Sequence, residues 1–226
     1  MKIINARNNC LSSRDLALIS TKLQLGEVVV IPTETVYGLA ADAMNPEAVN
    51  KIFHIKGRPR NKALTIHLSD FNMLNDLVLS VPNDAAKLIS AFWPGPLTLV
   101  LEKTEKVSSG IAADSKTVGV RMPGHEVALE IIKATNSPLV VPSANLSGKI
   151  NPTIAKHCIN DLSNKIDLIV DGGPCQLGIE STVISMIEKP YRILRAGAIT
   201  KSQIEGVVEN VLVPIFHTDK KTATAN

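Results

Sequence analysis

The sequence predicts an α/β fold, an open twisted mixed sheet flanked by helices. Three observations predict it. Stretches with helical periodicity alternate with short apolar runs along the chain. Those runs are continuous in Val, Ile and Leu, as in strands covered on both faces. Some connections between them are short, which calls for antiparallel pairing beside the parallel kind.

The elements follow in order. Ser12-Ser13-Arg14-Asp15 fits a capping box, and Leu16, Ile19 and Leu23 recur at helical spacing until Gly26. Residues 28–31 (Val-Val-Val-Ile) form a buried strand. Asn45-Pro46 opens a helix with Val49, Ile52 and Phe53 on one face. A strand at 64–68 comes next, then a helix over 83–92 with Ala85, Leu88, Ile89 and Phe92 apolar. Trp93-Pro94-Gly95-Pro96 ends it, and 97–101 is another strand. Residues 118–121 are a short strand, and 125–135 a helix with Ala128, Ile131 and Ile132 inward. Strands follow at 139–141, 168–170, 182–187 and 192–194. A last amphipathic helix carries Ile204, Val207, Val208 and Val211. The expected organisation is one catalytic unit over 1–212 and a short tail over 213–226, whose end, HTDKKTATAN, has nothing to bury and should be mobile.

Composition narrows the function. The 226 residues are 45% apolar and 20% charged, in the range of globular proteins and unlike disordered or coiled-coil chains. No apolar run approaches the length of a membrane helix, and the start, MKIINARNNC, lacks a signal core, so a cytoplasmic protein without membrane contact is expected. Cys10, Cys158 and Cys175 are odd in number with no Cys-x-x-Cys, which fits reduced thiols and argues against a zinc site. The net charge of +3 suits an anionic ligand but is small for a dedicated nucleic-acid binder. Seven aromatic residues are too few for a base-stacking platform.

Several apolar runs end in polar segments: Ile31 in Pro32-Thr33-Glu34-Thr35, Val141 in Pro142-Ser143-Ala144-Asn145, and Val170 in Asp171-Gly172-Gly173. Ligands of open α/β sheets gather at such carboxyl ends. The densest cationic cluster is Lys56-Gly57-Arg58-Pro59-Arg60-Asn61-Lys62. If it is extended, its four cations alternate onto one side. Two readings fit, a solvated basic loop or a polyphosphate clamp built on bidentate Arg. Neither a Gly-x-x-x-x-Gly-Lys loop nor a Gly-x-Gly-x-x-Gly fingerprint is present, so a nucleotide site would need another design. His67, at a strand end, could be a structural residue or a ligand. Ser143 and Asn145 suit polar contacts better than nucleophilic catalysis, since no His/Asp partner is recognisable.

Six segments now occur in a familiar order: Pro32-Thr33-Glu34-Thr35-Val36-Tyr37-Gly38-Leu39, Lys56-Gly57-Arg58-Pro59, Phe92-Trp93-Pro94-Gly95-Pro96-Leu97-Thr98, Val120-Arg121-Met122-Pro123, Pro142-Ser143-Ala144-Asn145-Leu146-Ser147-Gly148 and Glu180-Ser181-Thr182-Val183. Over about residues 10–200 the chain resembles the YrdC/TsaC family of L-threonylcarbamoyladenylate synthases. The resemblance implies a twisted sheet with a concave, basic central cavity. It implies synthesis of threonylcarbamoyl-AMP and pyrophosphate from L-threonine, bicarbonate and ATP, for the N6-threonylcarbamoyl modification of adenosine 37 in tRNA. By similarity, Lys56 and Arg58 are the catalytic groups, and Ser143 and Asn145 complete the family's Lys-x-Arg and Ser-x-Asn signature. Arg58, Lys62, Thr117, Ser143, Asn145, Asn151 and Arg195 would contact ATP. Thr35, His67, Arg121, the backbone at Val141, and Ser181 would contact threonine. Magnesium is expected with ATP, with no dedicated metal cage and no tightly bound cofactor. Lys62-Ala63-Leu64 departs from the family's usual Pro before Leu, without removing the charge. The family also has a long form with a linker and second domain, whereas about 26 residues follow Thr200 here. The resemblance further implies contact with tRNA or a downstream threonylcarbamoyl transferase complex.

Two other functions compete. A module binding double-stranded RNA or tRNA through the same basic cavity would need a phosphate-tracking surface, which +3 does not favour. A carbamoyl-adenylate module of the hydrogenase-maturation type would sit beside an acylphosphatase part and zinc-finger cysteines, neither of which occurs here.

Overall fold

The computed structural model describes residues 1–213, so the expected mobile tail, from 214 onward, lies outside the described residues. The chain forms β1 (Lys2–Asn5), α1 (Ser13–Gln24), β2 (Val29–Ile31), β3 (Gly38–Asp42), α2 (Pro46–Lys56), β4 (Thr65–His67), α3 (Phe71–Leu77), α4 (Asn83–Phe92), β5 (Leu97–Glu102), α5 (Ser109–Ala112), β6 (Thr117–Arg121), α6 (Glu126–Thr135), β7 (Leu139–Val140), α7 (Ala155–Leu162), β8 (Leu168–Asp171), β9 (Thr182–Ser185), β10 (Tyr191–Arg195), α8 (Lys201–Glu205) and β11 (Val211–Leu212). All eleven strands join one open sheet in the order β1-β8-β2-β3-β7-β4-β6-β5-β9-β10-β11. It is mixed as expected: β4 and β6 run parallel, as do β5 and β9, whereas β5 pairs antiparallel with β6. No helix among the described residues is long and apolar enough to cross a membrane.

Local chemistry sets the helix ends. Ser12 caps α1 by accepting from the Asp15 amide, and Asn45 caps α2 by accepting from the Glu47 and Ala48 amides. Gly57 closes α2 in the left-handed conformation, φ 58°, where a side chain would be strained.

Two departures from the sequence reading bear on the site. The basic segment is not extended. Lys56 is the last residue of α2 and is buried, Arg58 turns back onto its own loop, and Arg60 lies 5.3 Å over the Phe53 ring. The four cations therefore do not share one side. The last helix is also shorter than expected, because α8 stops at Glu205 before Gly206. Val211 instead pairs with Tyr191 in β11.

The sheet has two kinds of face. In β2, Val29 and Ile31 join the core against α1 and α6, while Val30 joins the core of the other face, so both faces are covered. In β4, β5 and β6 only one face is core, formed by Ile66, Leu99, Val118 and Val120. Their alternate residues are Thr65, His67, Thr98, Val100, Thr117, Gly119 and Arg121, and these line a cavity.

Candidate active site

The cavity holds about 360 Å³. Besides the residues just named it is walled by Thr35 and Gly38, by Arg58, by Val141 and Ser143 beyond β7, and by Ser181, Leu194 and Arg195. Nine of the thirteen residues expected at the site therefore meet in one place: Thr35, Arg58, His67, Thr117, Arg121, Val141, Ser143, Ser181 and Arg195. Lys56, Lys62, Asn145 and Asn151 are not in the wall.

Arg121 ends β6 at the deep end, with its side chain 4% exposed. Its guanidinium donates from Nε to the Gly95 carbonyl (3.1 Å) and from Nη1 to Thr35 Oγ1 (3.1 Å). Nη2 pairs with Glu34 Oε1 at 2.6 Å. Two of the five N–H groups are engaged in hydrogen bonds, while Nη2 meets Glu34 as an ion pair only, so donor capacity is left for a ligand. Glu34, 5% exposed, offsets a charge that would otherwise be costly to bury. His67, beside Arg121 in register, is buried in the cavity wall. Burial, and then the Arg121 charge, hold its pKa well below the ordinary value, so it is neutral at pH 7. Its Nδ1 has no protein partner among the described residues.

The opposite end is more open. Arg58 spends Nε and Nη2 on the carbonyls of Lys62 and Ala63 (3.2 and 2.8 Å), which fixes its fork at the rim. Arg195 grips the facing rim. Its Nε and Nη2 donate to the Ser181 carbonyl, Nη2 also reaches Ser181 Oγ (2.9 Å), and Nη1 pairs with Glu180 at 3.1 Å. Ser181 Oγ in turn shares a hydrogen bond with Thr98 Oγ1 at 2.8 Å. Thr117 Oγ1 lies 2.9 Å from Ser115 Oγ. Val100, Ala112, Val183 and Leu194 give this half an apolar flank.

Lys56 stands behind the wall. Its ammonium donates to the carbonyl of Ser143, to the carbonyl of Asn145 (2.7 Å) and to Asn145 Oδ1 (3.2 Å). Asn145 Oδ1 also accepts from Ser143 Oγ at 2.7 Å, and Asn145 Nδ2 donates to the Lys149 carbonyl. Lys56 thus ties the Ser143–Asn145 turn to the end of α2. Burial, and then the Arg58 charge, hold its pKa down to about 8. Between there and the ordinary 10.5 an unfolded lysine binds a proton that the folded one has released, so stability rises with pH across that window. The difference in unfolding free energy between the native chain and Lys56→Met should therefore change between pH 8 and 10.5 in denaturant titrations, as the native chain gains relative to the variant. A difference independent of pH would mean that Lys56 is not held in this way.

Thr33, Glu34, Thr98 and Gly119 were not read from the sequence as site residues. For Gly119 the available signal was the alternation in Thr117-Val118-Gly119-Val120-Arg121, where every second residue is polar or small although the strand is central.

Fold and cavity together define an α/β domain with one cleft of small-molecule size, walled by the guanidinium groups of Arg58, Arg121 and Arg195. The family model Sua5_yciO_yrdC, described as telomere recombination, matches residues 21–197. The chain is 45% identical over 96% of its length to the threonylcarbamoyl-AMP synthase of Bacillus subtilis, and 43% identical over 93% to that of Pyrococcus abyssi. It spans 62% of the length of each of these relatives. The crystal structure of P. abyssi Sua5 complexed with L-threonine superposes with a TM-score of 0.92 at 42% identity, covering 95% of this chain and 63% of that one. The chain belongs to the Sua5/YciO/YrdC family.

Proposed function

We propose that the chain makes L-threonylcarbamoyl-AMP and pyrophosphate from L-threonine, bicarbonate and ATP, in service of N6-threonylcarbamoyladenosine formation at position 37 of tRNA. One observation carries the reading: a single cavity with a buried guanidinium at one end and two rim guanidiniums, Arg58 and Arg195, at the other. The N–H groups of Arg121 that no hydrogen bond uses suit the amino-acid carboxylate. Thr35, neutral His67 and Ser181 offer partners for a threonine hydroxyl, and the apolar flank suits an adenine ring. The threonine amine and bicarbonate condense to a carbamate with loss of water, and a carbamate oxygen displaces pyrophosphate from the α-phosphate. Both reactants are anions, so the work asked of the protein is positioning and charge compensation.

ATP would carry magnesium on its phosphates. Among the described residues no group of three or more His, Cys, Asp or Glu could hold a metal, and magnesium that arrives with a nucleotide takes most of its donors from phosphate oxygens and water. Burial pushes the Cys158 and Cys175 thiols up to about 12 and about 11, which keeps them protonated and unreactive. The reading implies a downstream threonylcarbamoyl transferase, or tRNA itself, as the consumer of the product.

The test is pyrophosphate release from ATP, which should require L-threonine and bicarbonate together. Serine keeps the hydroxyl and loses a methyl, so it should be slower by about 10–200-fold. Valine leaves the hydroxyl partners unpaired and should be slower still. Equal rates with and without bicarbonate and amino acid would make the protein a simple ATP hydrolase.

A further inference from the structure

We propose that Gly119, midway along β6, is the position over which the two substrates join, and that its missing side chain leaves the space the junction occupies. The inference rests on the threonylcarbamoyl-AMP reading and adds a positioning residue to it. In β6, Val118 and Val120 enter the core, while Thr117, Gly119 and Arg121 face the cavity. Residues on one face of a strand stand about 6.6–6.8 Å apart, so Thr117 and Arg121 are separated by about 13 Å with Gly119 between them. The threonine carboxylate belongs at Arg121, and the nucleotide lies toward Thr117, Arg58 and Arg195. The bond between carbamate oxygen and α-phosphorus therefore forms above the middle position. In that step the bond from the α-phosphorus to the bridging oxygen breaks, and its electron pair leaves with pyrophosphate.

The backbone does not explain the glycine. Gly119 is not among the residues with positive φ, and it sits in a central strand, paired with Thr65 of β4 and Val100 of β5. A glycine there sacrifices strand stability and packing. Nor is a methyl group blocked by the main chain. A Cβ would meet Thr98 Cγ2 at 3.3 Å, Thr65 Oγ1 at 3.5 Å and Thr65 Cγ2 at 4.0 Å, all atoms of side chains that also line the cavity. Gly197 is different, because a Cβ there would come within 2.4 Å of the Glu180 carbonyl oxygen, so the fold itself excludes one. At position 119 a methyl fits the protein narrowly and stands on the cavity floor, where the reacting groups must approach.

The experiment compares Gly119→Ala with the native chain in three measurements: threonine- and bicarbonate-dependent pyrophosphate release, calorimetric binding of L-threonine and of ATP separately, and the melting temperature. Displacing the reacting atoms by about a methyl radius should lower kcat by about 100-fold. The melting temperature and the binding of each substrate alone should change little. Thr98→Ser deletes the methyl that the added Cβ would press on and keeps the hydroxyl, so it separates crowding of the substrate from strain in the protein. Adding Gly119→Ala to Thr98→Ser should cost the same factor as in the native chain. Recovery of turnover in that double variant, or native turnover in Gly119→Ala itself, overturns the proposal. A native chain with no threonine- and bicarbonate-dependent turnover overturns the underlying reading and this inference with it.

Discussion

Replacing Arg121 with methionine should cost the protein both stability and reaction, through separable causes. The guanidinium is the counter-charge of Glu34, and both side chains are at most 5% exposed. Removing one partner of a buried pair leaves the other unpaired and destabilises by about 3–5 kcal/mol. For a chain of this size each kcal/mol shifts the melting temperature by roughly 2–4 °C, so a fall of roughly 6–20 °C is expected. Replacing both partners, as in Glu34→Leu with Arg121→Met, removes the unpaired charge and should restore most of that loss. On the proposed function it should not restore threonine-dependent turnover, because the threonine carboxylate would have lost its donor. Scanning calorimetry and pyrophosphate release on the single and double variants read the two effects apart. A double variant as unstable as the single one would show that the pair is not what Arg121 contributes to folding. Turnover in either variant would remove Arg121 from the threonine site.

Arg58→Ala should behave in the opposite way, with a large loss of rate and a small loss of stability. The side chain donates to the carbonyls of Lys62 and Ala63, both on exposed residues, where water can take its place. On the proposed function, what is lost is its contact with phosphate. Charge-assisted hydrogen bonds contribute roughly 1.5–3 kcal/mol each. Two bonds acting in the transition state are then worth on the order of 10²–10⁴ in rate. Arg58→Lys keeps the charge but not the fork, and should fall between native and alanine. Near-native turnover of Arg58→Ala would exclude it from the phosphate site.

The sequence revealed the strands that carry the site better than those of the covered half of the sheet. Helices α1 and α2 were legible because Ser12 and Asn45 announce their starts and the apolar spacing continues along one face. Strand β3 was not, because Gly38-Leu39-Ala40-Ala41-Asp42 has small residues where strands usually show branched ones. β1 buries only Ile4, too little for any pattern. At the site, nine of thirteen expected residues line the cavity, and those came from ordered motifs rather than from periodicity. Lys56 shows the limit. In the sequence it belongs to a basic run, and nothing local distinguishes a solvated lysine from one whose acceptors lie far along the chain.

Those distances along the chain decide when the site can exist. Lys56 meets Ser143 across 87 residues, Arg121 meets Thr35 across 86, and Thr98 meets Ser181 across 83. Each contact closes a long loop whose ends gain little by meeting before the sheet between them has formed. During synthesis, Thr98 and Arg58 emerge well before the rim that faces them, and Arg195, which holds that rim, is among the last residues of the sheet to appear. A chain halted at residue 170 would contain Arg121, His67 and Lys56 but lack Ser181, Leu194 and Arg195 of the cavity wall. The cleft receives its last wall from the β9–β10 hairpin, so on the proposed function a nascent chain should not consume ATP before that hairpin has been made.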